Sequence, residues 1–322
     1  MQKRDDVRAL LPESGRELFD DIVSGRVLGA GRHIRMIGDM MRSIGGLEVP
    51  AHEKFERCLR LGDFFKETRG KSSYAIVTAV NLMTAGFAEA GGETDGGRLI
   101  EERVSAFFEN SERDTKEIVR RFRNLVENQG IKKLMVFDYS STVERCVVGL
   151  REPVEVYVPE SRLIDGGRPF VRPFVEAGHR VHFIADAAML TVLEEIDAVF
   201  IGAETFYPDG SAFNTAGSDL LAEVCKLHGV PYYVLTPLLK IDMRPCEGIF
   251  KEVIAADLRG RLAAGWDREL MEKVDFYSLE LVRVQPGQIT AFVTEQGIIP
   301  TPAMFAVARE YDELVNGRGR KR

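Results

Sequence analysis

From Lys132 onward the chain repeats one form, a short apolar run, often β-branched or aromatic, that ends in small or polar residues. KKLMVFDYS, VEVYVPES, RVHFIAD, AVFIGAET and PYYVLTP all have it. Between them lie helical stretches such as 191–195 and 219–227. Strands apolar on both faces that alternate with helices predict a parallel, doubly wound sheet, an α/β Rossmann-like arrangement. ITAFVTEQGIIP adds another strand near the C-terminus. Residues before Lys132 have a different texture. Ile118, Phe122, Leu125 and Val126 fall on one helical face while Lys116, Glu117, Arg120 and Arg121 fall on the other. The glycine pairs Gly45-Gly46, Gly91-Gly92 and Gly96-Gly97 punctuate such helices as turns. The chain therefore divides near Gly130 into a helical N-terminal domain, 1–130, and a Rossmann-like C-terminal domain, 131–322, that carries most of the site.

This architecture dictates where chemistry belongs, because ligands of open parallel sheets bind beyond the carboxyl ends of the strands, near a switch in strand order. The polar residues that follow the strand runs are Asp138 with Ser140, Ser141 and Thr142, then Glu160, Ser161 and Arg162, then Asp186, Glu204 and Lys240. Hydroxyls, carboxylates and cations at one sheet edge suit a polyol phosphate better than an apolar ligand. In FDYSST, Asp138 reads either as a general base beside hydroxyls that bind phosphate or as a cap of the following helix. Glu204 ends an apolar strand, where a carboxylate must be hydrogen-bonded or functional, or else paired with an arginine. Asn214, Thr215 and Gly217 precede a helix and offer an anion or hydroxyl site, or a simple cap. In the N-terminal part, Gly29, Ala30 and Gly31 open a helix where peptide N–H groups can approach an anion, although no strand precedes them and the dinucleotide fingerprint fails. TRGKSS offers Arg69 and Lys71, with hydroxyls, to a phosphate or to solvent.

Composition removes several classes of function. Fifty acidic against 43 basic residues give a net charge of −7, which disfavours general nucleic-acid binding. The one basic run, 318–322, reads as a solvated end. Cys58, Cys146, Cys225 and Cys246 are scattered, and the five histidines form no ligand pattern, so no metal, cofactor or disulfide framework is expected. No apolar segment reaches the ~18–20 residues that cross a bilayer, and no signal peptide is evident. A cytoplasmic protein without membrane contact is expected.

Taken together, VYVPESR, DAAM, the segment from VFIGAET through DGSAFNTAGSDLLAEVCKLHGVPYYVLTPLLK, and VDFYSLELV with ITAFVTEQGIIP resemble one family across nearly the whole chain. It comprises the regulatory subunits of the eukaryotic initiation-factor-2B exchange factor, methylthioribose-1-phosphate isomerase and archaeal ribose-1,5-bisphosphate isomerase. The resemblance implies a helical domain followed by a Rossmann-like one, a homodimer or higher homo-oligomer, and, in the isomerase branches, a pentose 1-phosphate as substrate. It also implies acid-assisted ring opening by a carboxylic acid after a Gly-Ala pair, here Glu204 after Gly202-Ala203, and proton movement by a cysteine. Asp138 stands in the position of that cysteine. The phosphate loop Arg-Gly-Ala-Gly reads Leu28-Gly29-Ala30-Gly31, and the Asn-Lys pair reads Asn214-Thr215, while Arg69, Ser140, Ser141, Thr142, Asp186 and Lys240 match family positions. With fewer fixed cations, a monophosphate or acidic sugar derivative is implied rather than a bisphosphate. Two functions stay open: a sugar-phosphate aldose–ketose isomerase with Asp138 as base and Glu204 as acid, and a non-catalytic ligand-sensing or regulatory subunit, which would equally lack the cysteine.

Overall fold

The computed structural model describes residues 4–27, 29–90, 95–253 and 255–316. Those within 1–113, 239–241 and 310–322 form one compact unit, and those within 114–238 and 242–309 the other. The first is helical: α1 (Arg4–Arg8), α2 (Glu13–Ser24), α3 (Ala30–Gly45), α4 (Ala51–Thr68), α5 (Tyr74–Met83) and the start of α6 (Gly96–Gln129). In α3 the apolar residues Ile34, Ile37, Met41 and Ile44 recur at steps of three and four, so they share one face, and all are buried in a single cluster with Phe19, Leu61, Phe65 and Val80. Small residues let these helices close on one another. A Cβ on Gly62 would meet Val80 at 2.6 Å, and one on Gly38 would meet the Phe108 ring at 2.8 Å. The same need corrects the reading of Gly96-Gly97 as a turn. The pair forms the first residues of α6, where a Cβ on Gly97 would lie 2.8 Å from the Gly45 carbonyl. Gly91-Gly92 lies outside the described residues. Gly130, where the composition changes, directly follows α6.

The second unit is built on a sheet. Its strands are β1 (Lys133–Phe137), β2 (Glu155–Pro159), β3 (Arg180–Ile184), β4 (Ala198–Ile201), β5 (Thr205–Phe206), β6 (Ala212–Thr215), β7 (Tyr232–Leu235), β8 (Ala255–Asp257), β9 (Tyr277–Leu279), β10 (Leu281–Val284), β11 (Ala291–Val293) and β12 (Ile298–Pro300). Seven of them run in the order β12-β11-β7-β4-β1-β2-β3, all parallel except β12. The exception has a local cause. ITAFVTEQGIIP makes two strands rather than one, folded back by a turn in which Thr294 and Gly297 exchange backbone hydrogen bonds.

The helices of this unit are the rest of α6, α7 (Ser141–Val148), α8 (Arg168–Glu176), α9 (Met189–Leu193), α10 (Ser218–His228), α11 (Arg259–Leu262), α12 (Arg268–Met271) and the start of α13 (Met304–Asn316). Alternate strand residues face opposite layers. Leu134, Val136, Val156, Val158 and Phe200 pack with Ile118, Phe122, Cys146, Phe170 and Phe174 of α6, α7 and α8. On the other face Phe137 meets the start of α10, so closely that a Cβ on Gly217 would sit 2.7 Å from its ring.

The chain leaves β1 toward β2 and β3, then returns to β4 on the other side of β1 and continues outward to β7. The switch in strand order therefore lies between β1 and β4. A smaller antiparallel sheet, β10-β6-β5, follows β4 in sequence and lies in the same unit.

Candidate functional site

Asp138 is the residue on which this switch point converges. It turns the chain from β1 toward α7 with φ 60°, in the left-handed region that Asp and Asn tolerate better than most side chains. The residue is 6% exposed. The Thr215 hydroxyl donates to Oδ2 at 2.7 Å and the Ser161 hydroxyl to Oδ1 at 3.4 Å. The Tyr139 peptide N–H donates as well. Burial raises the affinity of this carboxyl for its proton, and the three donors oppose that rise without cancelling it.

The Ser161 limb is a second strained turn. Ser161 and Asp165 have φ of 51° and 55°. The Asp186 carboxylate, just beyond β3, accepts the Ser161 and Arg162 peptide N–H groups, each at 2.8 Å. The loop closes on Asp138 through Gly166, where any Cβ would overlap Oδ1. Non-glycine residues held at positive φ concentrate at functional sites, and here all three that the described residues contain lie at or beside this corner.

Ser140 is the N-cap of α7, accepting the Val143 N–H at 3.4 Å, with Ser141 exposed and Thr142 half-buried behind it. Across the switch point Gly202 approaches so closely that a Cβ would meet the Ser140 side chain at 2.5 Å. Phe137 and Ile201 are partners in the β1–β4 register, so Asp138 and Gly202 leave neighbouring strand ends, and Glu204 follows two residues later. Glu204 is half-buried, and its N–H donates to the Phe213 carbonyl at 2.8 Å. Its charge acts on Lys251, whose ammonium is pushed down by burial while Glu204 and Asp242 oppose the shift. Asn214 and Thr215 belong to β6 rather than to a helix-opening loop, and the Asn214 amide donates to Ser218 Oγ at 2.9 Å.

The remaining predicted residues belong to the helical unit. Gly29 caps α3 with φ 98°, and Ala30 and Gly31 form the first turn; Leu28 lies outside the described residues. The Arg69 guanidinium donates to the Ile22 carbonyl and, at 3.4 Å, to that of Val23, the last turn of α2. Lys240 ends a short helical turn, half-buried.

Sequence reasoning gave no role to Lys251 or Glu295. Glu295 follows β11 and is pushed up to about 7 by burial, with the Leu238 N–H donating to its carboxyl at 3.1 and 3.2 Å. Its only signal was its position after a strand. Among the described residues no helix is long and apolar enough to cross a membrane, and no group of three His, Cys, Asp or Glu side chains is arranged to hold a metal ion.

Residues 31–301 match the model of the Initiation factor 2 subunit family. The chain belongs to that family. It is 26% identical to methylthioribose-1-phosphate isomerase of Thermotoga neapolitana, over 75% of this chain and 76% of that protein. It is 32% identical to 5-deoxyribose 1-phosphate isomerase of Petrotoga mobilis, over 46% of this chain and 44% of that protein. Several of these curated matches reach only between a third and about half of the relative's own length. Two crystal structures share the fold. 5-Methylthioribose 1-phosphate isomerase from Pyrococcus horikoshii gives a TM-score of 0.74 at 17% identity, covering 95% of this chain and 92% of that one. Translation initiation factor eIF-2B from the same organism gives 0.72 at 18% identity, covering 91% and 98%. The family fold expected from the sequence, a helical part followed by a mostly parallel sheet with flanking helices, is the one found.

Proposed function

We propose that this protein is a cytoplasmic sugar-phosphate aldose–ketose isomerase acting on a pentose-type 1-phosphate. The observation that carries the reading is the Asp138 carboxyl, buried at the β1–β4 switch point with its proton affinity raised and its oxygens held by Thr215 and Ser161. A carboxylate so placed is a stronger base than an exposed one and is suited to moving a carbon-bound proton. Names of relatives support the reaction class, since they include isomerases of two such sugar phosphates.

In this reading, protonated Glu204 gives its proton to the ring oxygen as the bond from that oxygen to C1 breaks. Asp138 takes the C2 proton, leaving an enol across C1 and C2. Asp138 then returns a proton to C1 while the C2 hydroxyl gives its proton to Glu204, so the ketose forms and both carboxyls regain their starting states. Ser140, Ser141, Thr142 and Asn214 are proposed to bind the phosphate and hydroxyls. No cofactor is needed. A homodimer or higher assembly is proposed as well, and sedimentation of the purified chain tests it.

The test of function is incubation with a panel of aldose 1-phosphates in deuterated water, followed by proton NMR. Ketose formation with deuterium entering a carbon-bound position is the expected result. Binding without turnover would favour a ligand-sensing subunit, the reading to which the structural likeness to initiation factor eIF-2B lends weight.

A further inference from the structure

We infer that Thr215 and Ser161 are positioning residues, two hydroxyls on separate elements that together fix the Asp138 carboxylate, with Asp186 locking the Ser161 limb from behind. The inference rests on the reading of Asp138 as the base, and it gives Thr215 a task other than touching substrate.

Asp138 has one carboxyl and two oxygens, and each oxygen meets a different hydroxyl, Oδ2 that of Thr215 and Oδ1 that of Ser161. Each hydroxyl has a single proton to give. Thr215 and Ser161 are buried residues, at 7% and 1% exposure, where an unpaired hydroxyl or carboxylate would be costly.

Their supports are independent. Thr215 stands in β6, held by its pairing with Leu281 of β10. Ser161 stands in the β2–α8 loop, with its peptide N–H and that of Arg162 both committed to the Asp186 carboxylate. That commitment holds Ser161 in a left-handed conformation it would otherwise leave. Gly166 completes the enclosure, since any side chain there would displace Oδ1.

Titratable and charged groups on the elements around Asp138 include Tyr139 beside it, Glu144 and Arg145 on α7, Glu160, Arg162 and Asp165 on the loop, Arg168 at the start of α8, Asp186 behind the loop, Glu204 beyond β4 and Asp219 at the start of α10. Besides burial, the groups that bias the Asp138 proton are the two hydroxyls and the Tyr139 N–H. Neutral donors that stabilise the carboxylate leave it basic, whereas a neighbouring ammonium would favour its charged form far more strongly and weaken it as a base. Thr215 thus fits a site whose proton acceptor is a carboxylate.

The experiment is a carboxyl carbon-13 NMR titration of the full, ligand-free chain, with the Asp138 resonance assigned by its loss in Asp138→Asn. Thr215→Val keeps the shape of the side chain and removes the donor, so the Asp138 midpoint moves to higher pH. Ser161→Gly, compatible with positive φ, moves it in the same direction by less, and Thr215→Ser restores the wild-type midpoint. In turnover assays the acidic limb of the kcat/KM profile follows the midpoint, and Thr215→Val loses about tenfold at low pH. A folded Thr215→Val with an unmoved midpoint overturns the inference. If that variant fails to fold, an unmoved midpoint in Ser161→Gly overturns it instead. The titration needs no substrate, so a shifted midpoint in a protein that turns nothing over would sink the isomerase reading and leave the clamp standing.

Discussion

Two carboxyls at strand ends of the same sheet, one buried and one half-buried, invite comparison. Asp138 follows β1 and Glu295 follows β11, and burial is the main cause of the raised proton affinity of both. Their donors differ. Besides the Tyr139 N–H, Asp138 is held by two side-chain hydroxyls that can turn toward another acceptor. Glu295 is held by peptide N–H groups, including that of Leu238, which are fixed in the backbone, while Asp114 and Arg121 act on it in opposite directions. Glu295 ties the segments that follow β7 and β11 together. Asp138 lies where the strand order reverses, with strained backbone on two sides. Raised proton affinity by itself marks only burial. Location and exchangeable donors separate the proposed proton carrier from a structural tie.

The sharpest way to break that comparison is to neutralise each carboxyl. Asp138→Asn keeps the backbone preference and should lower kcat by about a thousandfold or more, whereas Glu295→Gln should stay within about twofold of wild type. Equal losses in the same NMR assay would abolish the distinction.

The next effect is on stability. The folded-state pKa of Glu295, about 7, lies above its ordinary value of 4.5. Its contribution is therefore complete below about pH 4.5 and is lost as pH rises through about 7, by roughly 2 kcal/mol after allowance for partial exposure. Glu295→Gln should flatten the decline in urea-midpoint stability across that window, and an unchanged slope would place its burial in doubt. Gly166→Ala, which pushes a methyl group into Oδ1, should cost about 1–3 kcal/mol and reduce turnover together with stability. The smallest effect belongs to Ser140→Ala, where a long cap hydrogen bond predicts a loss of about 0.5 kcal/mol in thermal unfolding.

The sequence displayed the large sheet well, because β1, β2, β4 and β7 are buried on both faces and so read as continuous apolar runs. It hid β5, β6 and β10. These are two to four residues long, and their pairing joins segments far apart in the chain, from 205–215 to 281–284. Thr215 was therefore legible as a polar residue near the site but not as a partner of Asp138, 77 positions away. The contact of Arg69 with the Ile22 and Val23 carbonyls has the same character, since nothing local in TRGKSS foretells it. Gly96-Gly97 resembled a turn because glycine signals flexibility locally, whereas here its small size serves the approach of Ala51 and Gly45. Glu295 escaped notice in a Thr-Glu-Gln-Gly turn whose burial comes from the remote segment at Leu238.

The left-handed backbone at Asp138, Ser161 and Asp165 has a bearing on how such a site changes over generations. Most residue types pay to enter that conformation, and glycine, asparagine and aspartate pay least. Drift at these three places is thus funnelled into a narrow alphabet. At Asp165, exposed and joined to Arg168 only across 3.6 Å, all three residues of that alphabet are interchangeable neighbours. At Asp138 the same alphabet holds a single member that can carry a proton, so a lineage that acquires aspartate there has few affordable substitutions that keep both the shape and the chemistry.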